Sequence, residues 1–171
     1  LFLASALYLL KRQERWDEIG AAAGEVATLF GTIVLLTGPI WAKPVWGTWW
    51  VWDARLTSTL VLWLILMAYQ MLRSYGGSPQ QVARYCAVLA VVGFVDLPII
   101  HYSVTWWRTL HPEPKIMTEG SPGAGMDPSM LLAFALGFVA TLLLFSILVI
   151  LRVRLERMTR RAGATAELIR A

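Results

Sequence analysis

Charge is scarce in this 171-residue chain, and cysteine is almost absent. Only 15% of the residues are charged, whereas a soluble domain carries about 25%. The deficit falls in long apolar runs, so the bilayer is the solvent these residues suit. Nucleic acid is excluded as a partner on the same ground. The net charge of +4 sits in short basic clusters between apolar runs, which is the pattern that orients membrane proteins. One cysteine, Cys86, rules out an internal disulfide, and the lack of a Cys-x-x-Cys-His motif means the chain is not itself a c-type cytochrome.

What is present is a series of runs near the length of about 20 residues that a spanning helix needs. Leu1–Leu10 is apolar and leads straight into Lys11, Arg12 and Arg15. A signal peptide has the reverse order, so this run reads as the back half of a spanning helix in an N-terminally truncated sequence. Val26–Trp41 is the next span, extendable back toward Ile19 and expected to end at the Gly38-Pro39 break. Leu56–Leu72 follows, then Tyr85–Val104, which Asp96, Pro98 and His101 interrupt. Met130–Leu151 contains no charge at all. Lipid cannot satisfy backbone polar groups, so the expected fold is all-α. It is a polytopic helical membrane bundle of about five spans, the first partial, forming a single transmembrane domain over residues 1–171.

Lys and Arg placement orients the bundle. One set of segments holds Lys11, Arg12, Arg15, Arg73, Arg84, Arg152, Arg154, Arg157, Arg160, Arg161 and Arg170; the other holds Lys43, Arg55, Arg108 and Lys115. The first set is therefore cytoplasmic, with residues 152–171 a basic tail at the anionic lipid surface. The loops 41–55 and 105–129 lie together on the opposite face, which in a Gram-negative cell is the periplasm.

Those outer loops are unusual. Trp41, Trp46, Trp49, Trp50 and Trp52 crowd into twelve residues. An aromatic belt at the interface explains any one of them but explains five poorly. If the segment is helical, Trp46, Trp49 and Trp50 share a face; if it is extended, Trp46, Trp50 and Trp52 do. Either way an indole platform results, suited to a large, flat, apolar ligand such as a porphyrin.

The stretch Gly38-Pro-Ile-Trp-Ala-Lys-Pro-Val-Trp-Gly-Thr-Trp-Trp-Val-Trp-Asp-Ala-Arg-Leu-Thr-Ser58 resembles the signature of the haem-handling WWD membrane proteins. A second stretch, Asp96-Leu-Pro-Ile-Ile-His-Tyr-Ser-Val-Thr-Trp-Trp-Arg-Thr-Leu-His111, is similar to the cytochrome c maturation protein C (CcmC) family within that group. The resemblance implies a bundle with six spans when whole. It implies transiently bound haem b at the periplasmic face of the bacterial inner membrane. It also implies delivery of that haem to the haem chaperone CcmE, beside the ABC transporter subunits CcmA and CcmB, the small subunit CcmD and the lipid bilayer. Two periplasmic histidines are axial ligands in the family. One falls on His111; the other lies before the helix that opens this chain. An amide is more frequent in the family where Asp96 stands.

The residues themselves support parts of this expectation. His111 follows the Trp106-Trp107-Arg108 segment in the second outer loop, and neutral imidazole is a common axial ligand to haem iron. His101 lies about 15 Å away if the intervening chain is helical, too far to share the iron, and is expected to support the site. Arg55 and Arg108 suit the haem propionates, because guanidinium binds carboxylates bidentately. Asp53 is expected to orient an Arg or accept an indole N–H. The expected haem-binding set is therefore Trp46, Trp49, Trp50, Trp52, Asp53, Arg55, Trp106, Trp107, Arg108 and His111, with no catalytic residue. The alternative is a synthase-type WWD enzyme that attaches haem to apocytochrome. That class calls for further membrane-embedded histidines, and here only His101 lies within a span. A transporter or channel calls for polar residues along several spans, and Leu56–Leu72 and Met130–Leu151 are nearly free of them.

Overall fold

A computed structural model of the chain describes residues 1–111 and 127–170, with the side chains of residues 160, 161 and 163–170 outside the description. The described residues are helices and short connections, without strand. The chain divides into two compact units, Leu1–His111 and Pro112–Ala171.

The first unit holds α1 (Phe2–Lys11), α2 (Glu14–Trp46), α3 (Ala54–Tyr75) and α4 (Pro79–Trp106). Helix α1 stops at Arg12, whose left-handed backbone (φ 54°) lets its N–H donate to the Tyr8 carbonyl. Gln13 then turns extended and α2 begins, with Glu14 and Asp17 in its first turn, where carboxylates complement the helix dipole. Helix α3 is capped by Asp53. Helix α4 opens on Ser78 with Pro79 at its first position, where a missing N–H costs nothing.

Neighbouring helices run antiparallel, as short connections require. The register is visible in cross-helix contacts. Between α2 and α3, Trp63 Nε1 donates to Thr32 Oγ1 at 2.8 Å, Gln70 Nε2 to Thr28 Oγ1 at 3.3 Å and Arg73 Nη1 to Asp17 Oδ2 at 3.2 Å. Between α1 and α4, Phe2 stacks on Phe94 at 3.9 Å while Tyr8 packs with Ala83 and Ala87. Between α3 and α4, Tyr69 packs with Cys86 and Ala90.

Tyr69, 1% exposed, is the centre of this packing. Its hydroxyl accepts from Arg73 Nε at 3.0 Å, and Arg73 forms an ion pair with Asp17. Small residues on α2 make room for the ring. A Cβ at Gly24 would meet Tyr69 Cε1 at 2.7 Å. Membrane helices associate through such small-residue contacts, because lipid offers no hydrophobic drive to bring them together. Most of the large apolar side chains, such as Leu29, Ile33, Leu36, Leu64 and Val92, point outward. An outer surface of that kind suits lipid and not water.

The second unit, taken by itself, is α5 (Pro128–Arg170). Asp127 opens it, accepting from the Ser129 N–H at 2.8 Å and from its hydroxyl at 2.5 Å. Thr141 and Ser146 return their hydroxyls to the carbonyls of Gly137 and Leu142, so the apolar run presents no unpaired polar side chain there. Arg152 pairs with Glu156 one turn on, at 3.2 Å.

Four helices are long and apolar enough to cross a membrane, namely α2, α3, α4 and the Pro128–Thr159 part of α5, while α1 is a shorter apolar helix. The expected all-α membrane bundle is the fold observed. Boundaries differ at informative places. Helix α2 does not end at Gly38-Pro39 but continues through Pro39 and Pro44 to Trp46. Each proline removes one hydrogen bond yet keeps a helical φ, a loss that helices in or near membranes tolerate. Helix α4 likewise runs unbroken through Asp96, Pro98 and His101. The loop read as 41–55 is therefore Gly47–Asp53 as irregular chain, and residues 152–170 continue α5 as helix. Of the loop read as 105–129, residues 112–126 lie outside the described residues, Lys115 among them, as do the Arg160, Arg161 and Arg170 side chains and Ala171.

Candidate functional site

The tryptophan segment is built on the end of one helix and the start of the next. Trp46 closes α2, and Gly47 adopts φ 76°, donating its N–H to the Lys43 carbonyl at 3.0 Å. An L side chain rarely accepts that backbone, so glycine is what turns the chain here. Lys43 Nζ folds back to the Gly47 carbonyl at 2.9 Å and lies 6.0 Å above the Trp49 ring. Thr48 Oγ1 donates to the Trp50 carbonyl at 3.1 Å. Trp50 and Trp52, two positions apart on irregular chain, meet edge to face at 5.6 Å. Of Trp46, Trp49, Trp50 and Trp52 only Trp46 is helical, so the platform is neither a helical face nor a regular extended one.

Asp53 then starts α3. Its Oδ1 accepts the Leu56 N–H at 2.8 Å, while its own carbonyl accepts Thr57 N–H at 2.9 Å. The other oxygen, Oδ2, lies 3.1 Å from His111 Nδ1. One carboxylate thus caps a helix and holds an imidazole that is 58 positions away in sequence. The pair is sheltered, with the Asp53 side chain 8% and the His111 side chain 19% exposed. The imidazole has two further restraints. Its ring meets Trp46 edge to face at 4.7 Å, and Trp46 in turn meets Trp41 at 5.1 Å. The His111 N–H donates to Thr109 Oγ1 at 3.0 Å, and that hydroxyl donates to the His111 carbonyl at 3.2 Å.

Around this sheltered pair the aromatic surface is open. Trp41, Trp49, Trp52, Trp106 and Trp107 are all more than half exposed. Trp106 stacks on Tyr102 at 5.4 Å and meets Trp107 at 5.8 Å, forming a second aromatic group at the end of α4. The Trp50 indole N–H is buried with no acceptor among the described residues.

Trp46, Asp53 and His111 are therefore brought together, with Trp41 behind them. Trp49 belongs with Lys43, Trp50 with Trp52, and Trp106 with Trp107. Arg55 stands in the first turn of α3 and Arg108 is exposed beyond α4; neither has an ion pair with the described residues. Asp53, expected to orient an Arg or accept an indole N–H, has the Leu56 N–H and His111 Nδ1 as its side-chain partners among the described residues. His101 is exposed and its ring contact is with Tyr102 at 4.9 Å, not with His111. Thr109, missed by the sequence reading, latches the histidine turn. Its only sequence signal is a hydroxyl two residues before a loop histidine, a common local hydrogen-bonding position.

Comparison with known proteins settles the family. The family model "CcmC: Heme exporter protein C" matches residues 1–167. The chain belongs to the CcmC family. A "Heme exporter protein C" from Bradyrhizobium diazoefficiens is 40% identical over 159 residues, covering 93% of this chain and 60% of that protein. The Escherichia coli K12 protein of the same name is 39% identical over 151 residues, covering 87% and 60%. A "Putative cytochrome c biosynthesis ccmC-like mitochondrial protein" from Marchantia polymorpha is 34% identical over 152 residues, covering 89% and 63%. The chain spans about three fifths of the length of these curated relatives. CcmC membership and helices long enough to span agree on a multi-pass membrane protein.

Proposed function

We propose that this chain holds haem b transiently at the periplasmic face of the bacterial inner membrane and passes it to a haem chaperone during cytochrome c maturation. The observation that carries this reading is the His111–Asp53 pair set among open indoles. The names of the relatives, heme exporter and cytochrome c biosynthesis, support the same direction.

The residues fit haem better than a bare ion. Among the described residues no group of three or more His, Cys, Asp or Glu side chains could hold a metal ion. Haem, when bound, would supply an iron that a single histidine such as His111 could help to hold. With Nδ1 engaged by Asp53, His111 keeps Nε2 as its remaining nitrogen. The exposed faces of Trp49, Trp52, Trp106 and Trp107 offer stacking area. Arg55 and Arg108, without ion pairs to the described residues, suit the propionates. The protein's part is to bind, orient and release, so it is an assembly component and not an enzyme. Its partners on this reading are CcmE, the transporter subunits CcmA and CcmB, and CcmD.

Replacing Trp46, Trp49 and Trp52 together with leucine tests the platform, because it keeps apolar area and removes stacking faces. Haem co-purifying with the full-length protein should fall several-fold. Unchanged haem content and unchanged transfer to the chaperone would return the tryptophans to the role of an interface belt.

A further inference from the structure

The geometry points to Asp53 as the residue that sets which nitrogen of His111 faces a ligand. This rests on the reading of His111 as an axial donor and goes beyond it, by making ligand competence depend on a carboxylate already committed to a helix cap.

The Leu56 N–H is a donor and can only be met by an oxygen, and Asp53 Oδ1 meets it at 2.8 Å. Oδ2, a pure acceptor, then faces His111 Nδ1 at 3.1 Å. A carboxylate there requires a proton on Nδ1. In the neutral imidazole that places the lone pair on Nε2. The same hydrogen bond fixes the orientation of the ring, as carboxylate partners do for metal-bound histidines elsewhere. Because Oδ1 is tied to α3, the imidazole is referenced to the helix and not to the mobile reach of a free side chain. The Thr109 latch and the Trp46 edge contact remove the remaining freedom. Asp53 is thus a positioning residue; it need not touch the porphyrin.

This arrangement makes an unusual prediction about substitution. Asp53→Asn keeps the size of the side chain and keeps the cap, since asparagine caps helices as well as aspartate. Its oxygen must stay with the Leu56 N–H, so its amide N–H₂ turns to His111. A donor facing Nδ1 demands the lone pair there and puts the proton on Nε2, the wrong tautomer for ligation. Asp53→Ser also caps α3 but leaves Nδ1 to water, so either tautomer remains open. The more conservative change should therefore be the more harmful one.

The experiment uses the full-length protein in detergent, with thermal unfolding to verify that each variant folds. Haem affinity should fall about 10–100-fold in Asp53→Asn and less in Asp53→Ser. The reduction potential of the haem that remains should rise, because the ring loses the carboxylate partner that strengthens it as a donor to iron. Independently of haem, ¹⁵N-histidine NMR of the apo protein, with the His111 signals assigned by their loss in His111→Ala, should show the proton on Nδ1 in the parent and on Nε2 in Asp53→Asn. A purely capping role predicts Asn equal to Asp, and that result would overturn the inference. A His111→Ala arm separates the two readings. If that variant retains haem as the parent does, the ligand reading itself falls. If it loses haem while Asp53→Asn does not, only the present inference falls.

Discussion

Adding one methyl group to α2 should have opposite effects at two glycines one helical turn apart. At Gly24 an added Cβ would come within 2.7 Å of Tyr69 Cε1, 3.1 Å of Cδ1 and 3.4 Å of Gln70 Nε2. The ring has nowhere to go. Tyr69 is 1% exposed, its hydroxyl is held by Arg73 at 3.0 Å, and Cys86 and Ala90 pack on it from α4. At Gly20 the same Cβ would lie 3.6 Å from the Tyr69 hydroxyl, 3.7 Å from Ser5 Oγ and 3.9 Å from Ala4 Cβ, which are ordinary contacts. Replacing a helical glycine with alanine contributes up to about 1 kcal/mol, and Gly20→Ala should keep most of that. Gly24→Ala gains the same propensity but overpacks a closed interface, which costs about 1–3 kcal/mol. The two variants should therefore differ by about 1–3 kcal/mol, with Gly24→Ala the less stable. Thermal unfolding in detergent, followed by near-ultraviolet circular dichroism, reads both. Equal stability of the two variants would refute the proposed closeness of α2 and α3 at Tyr69.

Two further outcomes follow from charges. Asp17→Ala leaves the Arg73 guanidinium without its carboxylate while both side chains are only about a fifth exposed, and should cost about 1–3 kcal/mol. Adding Arg73→Met to it should recover part of the loss in the same unfolding assay, whereas a further fall would contradict the pairing. At the start of α5, hydrogen bonds from the Ser129 hydroxyl and N–H hold the Asp127 carboxyl below its ordinary value. A depressed carboxyl contributes stability above the ordinary range and loses it as pH falls through the lowered value. The Ser129 amide resonance should therefore titrate below about pH 4; a midpoint at or above that value would count against the cap.

Length and apolarity made the helices legible from sequence, since a run such as Met130–Leu151 has no other stable form in lipid. Helix ends were harder. Pro39 reads locally as a stop, yet α2 passes it, because a missing hydrogen bond near a membrane surface can be satisfied from elsewhere. The tryptophan motif was visible as composition, but its shape was not, because it depends on one glycine at φ 76° and on two helix ends. The pairing of Asp53 with His111 had no local signature. It joins the start of α3 to the loop beyond α4, so it exists only once α3 and α4 have docked. Both residues stood out singly; their relationship is tertiary.

The central claim is that His111 is an axial ligand to haem iron. The direct test is the absorption spectrum and haem content of the full-length protein purified with haem, parent against His111→Ala. His111→Ala should shift the Soret band and lose much of the bound haem, with folding retained. An unchanged spectrum at unchanged haem content would contradict it.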